Sequence, residues 1–203
     1  ARAVLAAMEP AVAKAGPEAQ VRYQLELGRT DASASHVAAQ ITPEAATRAR
    51  AAFGQALRLA RASGLDALAI DAIHMFAFLD TAPADQLKWG EAALAVVLQS
   101  QQPDARKWEA SVRNNIGYAL HQLGRYPEAL AQFEQALALR EQGSNASATR
   151  VARWMVAWTL RSLQRLDEAL AIQLRLETEC AAAGEPDPYV FEELEVLYQA
   201  KGD

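Results

Sequence analysis

The fold is indicated most clearly by residues 114–140, which have the sequence NNIGYALHQLGRYPEALAQFEQALALR. Apolar residues recur at steps of three and four on both sides of Gly124, which is the spacing of an amphipathic α-helix. Gly124 suits a helix end, and Pro127 suits the first turn of the helix that follows. The stretch therefore predicts a hairpin of two helices, with alanines that allow the two backbones to approach closely.

The pattern returns 40 residues later, in residues 153–176, RWMVAWTLRSLQRLDEALAIQLRL. Leu120 is matched by Leu160, and the tetrapeptide at 128–131, Glu-Ala-Leu-Ala, recurs at 168–171. A small residue, a larger one four later and another three later mark the second helix of each hairpin. This triplet occurs as Ala129-Phe133-Ala136, Ala169-Gln173-Leu176, Ala49-Phe53-Ala56 and Ala1-Leu5-Met8. The chain is therefore an array of similar hairpins.

One unit resembles the tetratricopeptide repeat. That family has a small residue in its first helix, followed by Tyr, Ala, Phe and Ala at set distances, and these places are filled by Gly117, Tyr126, Ala129, Phe133 and Ala136. The next unit fills three of them with Ala157, Leu166 and Ala169. The spacing exceeds the family's usual repeat of about 34 residues. Extended units of this kind look like those of kinesin light chain and of bacterial regulatory solenoids.

The sequence departs from the family pattern in two ways. Arg113 and Arg153 stand where the family usually has a large apolar residue, and no proline closes the units. In residues 66–101 the register is open: the first helix favours an offset of 40 from the next unit, whereas Leu87 and Leu94 favour 43.

The repeats and the resemblance together predict an all-α fold, a right-handed superhelical solenoid of antiparallel helical hairpins with about ten helices. The helices are expected near residues 2–15, 18–28, 43–63, 66–79, 84–100, 106–123, 127–142, 147–163, 167–182 and 189–201. We expect a single repeat domain over residues 1–203, with units at about 1–15 (partial), 18–63, 66–101, 106–142, 147–184 and 189–203 (partial). A polar insertion, residues 29–40, is expected to be a binding loop, a solvated connection or partly disordered. Both ends fall inside a repeat, up to a turn at Gly202 and Asp203, which indicates a piece of a longer solenoid.

The amino-acid composition argues against several classes of function and structure. The 203 residues carry 20 Lys or Arg and 25 Asp or Glu, a formal net charge of −5, which argues against nucleic-acid binding. A single cysteine, Cys180, excludes an internal disulfide, and no apolar run is long enough to cross a membrane. We expect a cytoplasmic protein.

The resemblance implies that first helices line a concave groove. The repeat register then predicts these binding residues: Asp71, Phe78, Asn114, Tyr118, His121, Gln122, Trp154, Trp158 and Arg161. Phe78, Tyr118 and Trp158 would form an aromatic ladder, Arg161 would pair with a carboxylate, and Asn114 would bond a peptide backbone. The alternative is that these aromatic residues only pack against neighbouring helices.

The predicted function is a non-catalytic module that binds a protein or peptide segment in this groove. The alternatives are a regulatory solenoid of a larger signalling protein that binds a small ligand or peptide, and a scaffold that self-associates through its terminal repeats. No cofactor, metal ion or catalytic residue is expected, because the histidines lack metal-ligand spacing and Cys180 lacks a histidine nearby in sequence. His121 is expected to be exposed in the groove.

Two charge patterns bear on the partner. The family's known carboxylate clamp needs lysines, and Lys14, Lys88, Lys107 and Lys201 all lie outside the predicted groove. An arginine-based analogue with Arg113, Arg153 or Arg161 stays open. The arginines at 150, 153, 161 and 165 are expected to form a solvated face balanced by Asp167, Glu168 and Glu177, or else to bind an acidic segment or a phosphate.

Overall fold

A computed structural model describes residues 1–202, so the predicted turn residue Asp203 lies outside the described part. Within that part the regular structure is helical. The α-helices are α1 (Arg2–Val12), α2 (Pro17–Arg29), α3 (Pro43–Ala62), α4 (Asp66–Phe76), α5 (Pro83–Gln99), α6 (Pro103–Arg106), α7 (Glu109–Gln122), α8 (Tyr126–Glu141), α9 (Ala146–Ser162), α10 (Leu166–Ala183) and α11 (Pro188–Lys201), and a short 3₁₀ helix spans Ala38–Gln40. The predicted all-α fold is confirmed, and it is that of a helical-repeat solenoid.

The predicted helices are found with one difference. The helix expected near 106–123 is divided into α6, which begins at Pro103, and α7, which begins at Glu109. Pro103 fits the first turn of α6, where a backbone N–H has no partner within the helix. The short connection at Lys107 and Trp108 separates the two helices.

The chain divides into two compact units, residues 1–112 and the residues from Arg113 onward. Each unit has its own hydrophobic core. The assignment of the whole chain to one repeat domain stays a prediction.

The first unit packs α2 on α3, α3 on α4 and α4 on α5. Phe53 is fully buried in its core and contacts Phe76 edge-on at 6.2 Å between ring centroids. Phe76 in turn stacks on Trp89 at 4.6 Å. Gly28 of α2 lies directly against Phe53, because a Cβ atom at this position would come within 2.3 Å of the phenyl ring.

The insertion after α2 is anchored at its start. Ala32 is fully buried, and the Asp31 carboxylate accepts hydrogen bonds from Arg2 at 2.8 Å and from Arg48 at 2.7 Å. Burial alone would raise the pKa of Asp31, but the hydrogen bonds from Arg48 and Arg2 outweigh it and lower the pKa below the usual range. This part of the insertion is therefore a packed connection that holds α1 and α3 together.

The second unit repeats the first unit's packing device. Helix α9 packs on α8 and α10, and α10 packs on α11. Gly117 of α7 lies against Phe133 of α8, where a Cβ atom would come within 2.7 Å of the ring. Glycine is thus required at both places because the phenyl ring of the second helix occupies the space of a side chain.

The next hairpin departs from this pairing. Ala157 and Gln173 take the places of Gly117 and Phe133, and both are fully buried. Neither polar atom of the Gln173 amide has a hydrogen-bond partner among the described residues. A buried polar group without a partner is destabilising, so this hairpin has a weak point in its core.

The same backbone turn joins two helices at three places. Gly64, Gly124 and Gln164 each adopt the left-handed conformation, with φ of 65°, 73° and 61°. In the second case the Arg125 N–H then donates to the Leu120 carbonyl at 2.9 Å, a bond that satisfies the preceding helix end. Gln164 therefore occupies a position that favours glycine.

Burial on α5 bears on the open register. Leu87 and Ala93 are buried, as are Leu130 and Ala136, which lie 43 residues later. The second helix of this unit therefore follows the offset of 43.

Candidate functional site

Six ring side chains contact one another in the second unit. We call this set the aromatic row; its members are Tyr118, His121, Tyr126, Trp154, Trp158 and Tyr189. They come from α7, α8, α9 and α11, so the row crosses successive hairpins.

Trp158 lies at the centre of the row. Its ring stacks on those of His121, Trp154 and Tyr118, with centroid distances of 3.4, 5.8 and 6.2 Å and interplanar angles of 19–21°. Tyr118 and Trp158 are 40 residues apart, so the repeat offset brings equivalent positions of two first helices together. Trp154 precedes Trp158 by four residues and therefore lies on the same face of α9.

The two ends of the row are held differently. The ring of Tyr189 meets Trp154 edge-on at 6.5 Å, and the Trp154 Nε1–H donates to the Tyr189 carbonyl at 3.1 Å. At the other end Tyr126 tilts against His121 at 4.8 Å. Tyr118 is 46% exposed and Tyr189 is 67% exposed, whereas both tryptophans are half-buried. The exposed rings of Tyr118 and Tyr189 therefore each pack against a half-buried tryptophan ring.

His121 is buried, so the expectation that it is exposed in the groove is wrong. It lies against Trp158, and its Nε2 is 2.9 Å from the Ser162 hydroxyl oxygen. Burial, aided by the positive charge of Arg161, lowers the pKa of His121 to about 4. The imidazole is consequently neutral near pH 7 and supports the neighbouring rings.

Arg161 is engaged within the unit. Its Nε donates to Glu193 Oε1 at 2.5 Å and its Nη2 donates to Glu193 Oε2 at 3.1 Å. The Glu193 residue is only 4% exposed, and the pair joins α9 to α11. Arg161 therefore has its carboxylate already, and a partner's carboxylate would have to displace a buried glutamate.

The other arginines of this region are also paired. Arg150 pairs with Glu185, Arg153 with Glu141 at 2.9 Å and with Glu179 at 2.7 Å, and Arg165 with Glu168 at 2.7 Å. Of the predicted balancing acids, Glu168 does pair with an arginine of this group. The structure thus places these arginines in ion pairs between and within helices.

Polar side chains flank the exposed tyrosine of α7. Asn114 precedes Tyr118 by four residues and is half-buried, and Gln122 follows it by four and is exposed. All three therefore lie on one face of α7, with amide groups one turn to either side of the ring.

The predicted residues of the first unit lie in different surroundings. Asp71 accepts two hydrogen bonds from Arg29 Nη2, at 2.6 and 2.7 Å, and this pair joins α2 to α4. Phe78 follows the end of α4 and contacts His74 edge-on at 5.3 Å. The predicted continuation of the ladder from Phe78 to Tyr118 stays a prediction.

Phe78 also lines an apolar cleft of about 420 Å³. The lining residues are Ala39, Ile41, Ala46, Phe78, Leu79 and Thr81. The His74 ring, which contacts Phe78, lies 5.9 Å from the Trp108 ring between centroids, and burial lowers the pKa of this histidine.

Sequence reasoning missed Tyr126 of the aromatic row as a site residue, and it also missed Tyr189 and Glu193. Neither Tyr189 nor Glu193 lies 40 residues from the position it contacts: Tyr189 is 35 residues from Trp154 and Glu193 is 32 from Arg161. The sequence feature that could have located them is the segment Asp187-Pro188. The Asp187 carboxylate accepts a hydrogen bond from the Tyr189 N–H and fixes where α11 begins.

Other chemistry would require metal-ligating, nucleophilic or membrane-spanning features. The described residues contain no group of three or more His, Cys, Asp or Glu side chains placed to hold a metal ion. Cys180 is buried, and burial raises the pKa of its thiol. Over the same residues no helix is both long and apolar enough to cross a membrane.

A family model described as tetratricopeptide repeat matches residues 108–176. This range contains α7, α8, α9 and much of α10, where the 40-residue repeat is clearest. The family match is therefore to residues 108–176, the part of the chain for which the sequence predicts this resemblance. The aromatic row thus lies largely within the matched residues, with Tyr189 beyond them.

Solved structures share the fold over nearly the whole length of this chain. Two are crystal structures of the nearly identical TPR-like repeats of a kinesin-light-chain-type protein from Podosopora anserina. The first is 17% identical, covers 92% of this chain and 89% of its own, and has a TM-score of 0.66. The second, a point variant, is 15% identical, covers 92% and 88%, and has a TM-score of 0.65. A comparison with curated proteins gives no match.

Tetratricopeptide repeats generally mediate protein–protein interaction and are typically non-enzymatic. The coarse function indicated for the matched residues is therefore that of a protein-interaction module.

Proposed function

We propose that this protein binds a peptide or protein segment on the aromatic row of its second unit and carries out no catalysis. The observation that supports this proposal is the exposure of Tyr118 and Tyr189 on rings that are themselves held by Trp158 and Trp154. Tyrosine offers a large contact area with little loss of side-chain entropy, which favours binding.

The amide side chains support an extended ligand. Asn114 and Gln122 flank Tyr118 on α7, and each amide both donates and accepts hydrogen bonds. A peptide backbone laid along the row would meet these amides at one end and the ring of Tyr189 at the other. Rings give contact area and amides give orientation, a division that suits an extended segment.

The rigidity of the row also favours binding. His121 is locked between Trp158 and Ser162, and the Arg161–Glu193 pair fixes α9 against α11. A surface that is already ordered loses little entropy on association, so more of the contact energy is available for affinity.

The test begins with random dodecapeptides displayed on phage and selected on the full chain. The affinities of the selected peptides are then measured by isothermal titration for the wild type and for the double variant Tyr118→Ala/Tyr189→Ala. Leu174→Ala is the matched control, because Leu174 is 39% exposed on α10, outside the aromatic row. Both tyrosines are exposed, so the double variant is expected to fold normally.

We expect the double variant to lose at least tenfold in affinity and the control to lose less than twofold. Equal affinity for the double variant and the wild type, with helicity unchanged, would show that peptides bind elsewhere and would refute the proposal.

A further inference from the structure

We infer that the segment bound by the aromatic row is basic and presents Lys or Arg side chains to the exposed rings. This inference rests on the proposed function and concerns the chemistry of the partner.

The charge of the second unit favours such a partner. From Arg113 to the end of the chain the sequence holds nine Lys or Arg and thirteen Asp or Glu, a formal net charge of −4 out of −5 for the whole chain. Nearly all of the excess negative charge therefore belongs to the unit that carries the aromatic row, and it attracts cations.

The carboxylates lie close to the exposed end of the row. Asp187 is the N-cap residue of α11, two residues before Tyr189, and its side chain accepts a hydrogen bond from the Tyr189 N–H at 3.0 Å. Glu192 follows Tyr189 by three residues and is exposed, so it lies one helical turn from the ring. A cationic side chain over Tyr189 would thus have carboxylates on both sides along α11.

The rings themselves favour a cation. The face of a Trp or Tyr ring attracts Lys or Arg within about 6 Å of its centroid. The first unit makes this contact internally: Arg50 lies 5.8 Å from the Phe76 ring and Lys88 lies 5.6 Å from the Trp89 ring. Rings of the aromatic row contact other rings instead, and Tyr118 and Tyr189 keep exposed surface.

An acidic partner is disfavoured by the same geometry. The arginines nearest to the row are already paired with glutamates, and Glu193 is nearly fully buried beside Arg161. A partner carboxylate that took Arg161 would leave Glu193 buried without its counter-charge, which is strongly unfavourable.

The test uses three blocked dodecapeptides, (Gly-Lys-Pro-Leu)₃ and its counterparts with Glu or Gln in place of Lys. Binding to the full chain is followed by the fluorescence of its tryptophans and checked by isothermal titration, at 50 mM and 500 mM NaCl. The variant Glu192→Gln removes a carboxylate beside Tyr189, and Glu177→Gln on α10 removes the same charge elsewhere.

We expect the Lys peptide to bind at least tenfold more tightly than the Glu peptide at 50 mM NaCl, and this preference to shrink at 500 mM because salt screens exposed charges. Glu192→Gln should weaken the Lys peptide about threefold, and Glu177→Gln should change it little. Equal or tighter binding of the Glu peptide, or no detectable binding of the Lys peptide, would overturn the inference.

These outcomes separate the two proposals. If the Gln and Glu peptides bind as well as the Lys peptide but lose affinity in the Tyr118→Ala/Tyr189→Ala variant, the row is a binding surface and only its preference for a basic segment is wrong. If that variant leaves the affinity of every bound peptide unchanged, the proposed function itself fails.

Discussion

A single substitution at Gln173 is expected to stabilise this protein. The side chain is fully buried in α10, and neither its Oε1 nor its Nε2 has a hydrogen-bond partner among the described residues. Leaving a buried polar group unpaired costs about 1–3 kcal/mol. Gln173→Leu removes both polar atoms and nearly preserves the volume, so the free energy of unfolding should rise by about 1–3 kcal/mol.

The measurement is urea unfolding followed by far-UV circular dichroism, with thermal unfolding as a second readout. For a chain of this length each 1 kcal/mol shifts the melting temperature by about 2–4 °C, so a rise of roughly 2–10 °C is expected. Gln135→Leu on the exposed side of α8 is the matched control and should change the stability by less than about 0.5 kcal/mol. An unchanged or lowered urea midpoint for Gln173→Leu would refute the reasoning, because it would mean that the amide is well paired.

A double-mutant cycle tests why glutamine stands where two other hairpins have phenylalanine. Gln173→Phe alone should destabilise the hairpin by about 1–3 kcal/mol, since the ring would meet the Cβ of Ala157. The added change Ala157→Gly should recover much of that loss, because Gly117 makes this space for Phe133. Additive effects of the two changes would contradict the coupling.

Three further predictions concern other sites. Gly117→Ala should destabilise the protein by about 1–3 kcal/mol, because its Cβ would overlap the Phe133 ring. Gly54→Ala, whose Cβ would meet nothing closer than 3.6 Å, should stabilise α3 by about 0.5–1 kcal/mol. Urea unfolding of the two variants tests both predictions. His121 has a pKa of about 4 in the folded protein against an ordinary value of 6.5. Its contribution to the free energy of unfolding is therefore complete above pH 6.5, and up to about 3 kcal/mol is lost as the pH falls towards 4. An NMR titration that gives His121 a pKa near 6.5 would contradict this. Gln164→Gly should stabilise the turn before α10 by about 0.5–1 kcal/mol, because φ is 61° there, and a lower melting temperature would count against the strain.

The 40-residue repeat offset predicts many of the buried positions in the second unit. Buried positions on α7 recur 40 residues later on α9, as with Leu120 and Leu160, because hairpins that stack on one another must present equivalent faces. The same offset places Tyr118 beside Trp158. The offset of 40 does not hold for α11, whose start is shifted along the sequence. It therefore does not predict the contact of Tyr189 with Trp154.

The burial of His121 could not be predicted from its own helix. Its position on α7 indicates a groove-facing residue, and the side chain is covered by Trp158 and Tyr126 of other helices. A histidine faces solvent or is enclosed according to the size of its neighbours on the adjacent repeats. Local periodicity contains no information on that size.

The charged residues predicted for the groove are paired within the protein, which affects how it could bind a partner. Asp71 and Arg161 were both predicted to face a ligand, and each is paired with an oppositely charged residue on the next or preceding first helix, Arg29 and Glu193. In each unit an arginine–carboxylate pair thus joins first helices of neighbouring repeats, and charges that would otherwise be available to a ligand hold these helices together. The rings have no such saturating partner, because a ring packed on one face or edge keeps the other surface free. The aromatic row, and not the arginines, is therefore the part of this surface on which selectivity for a partner would have to be built.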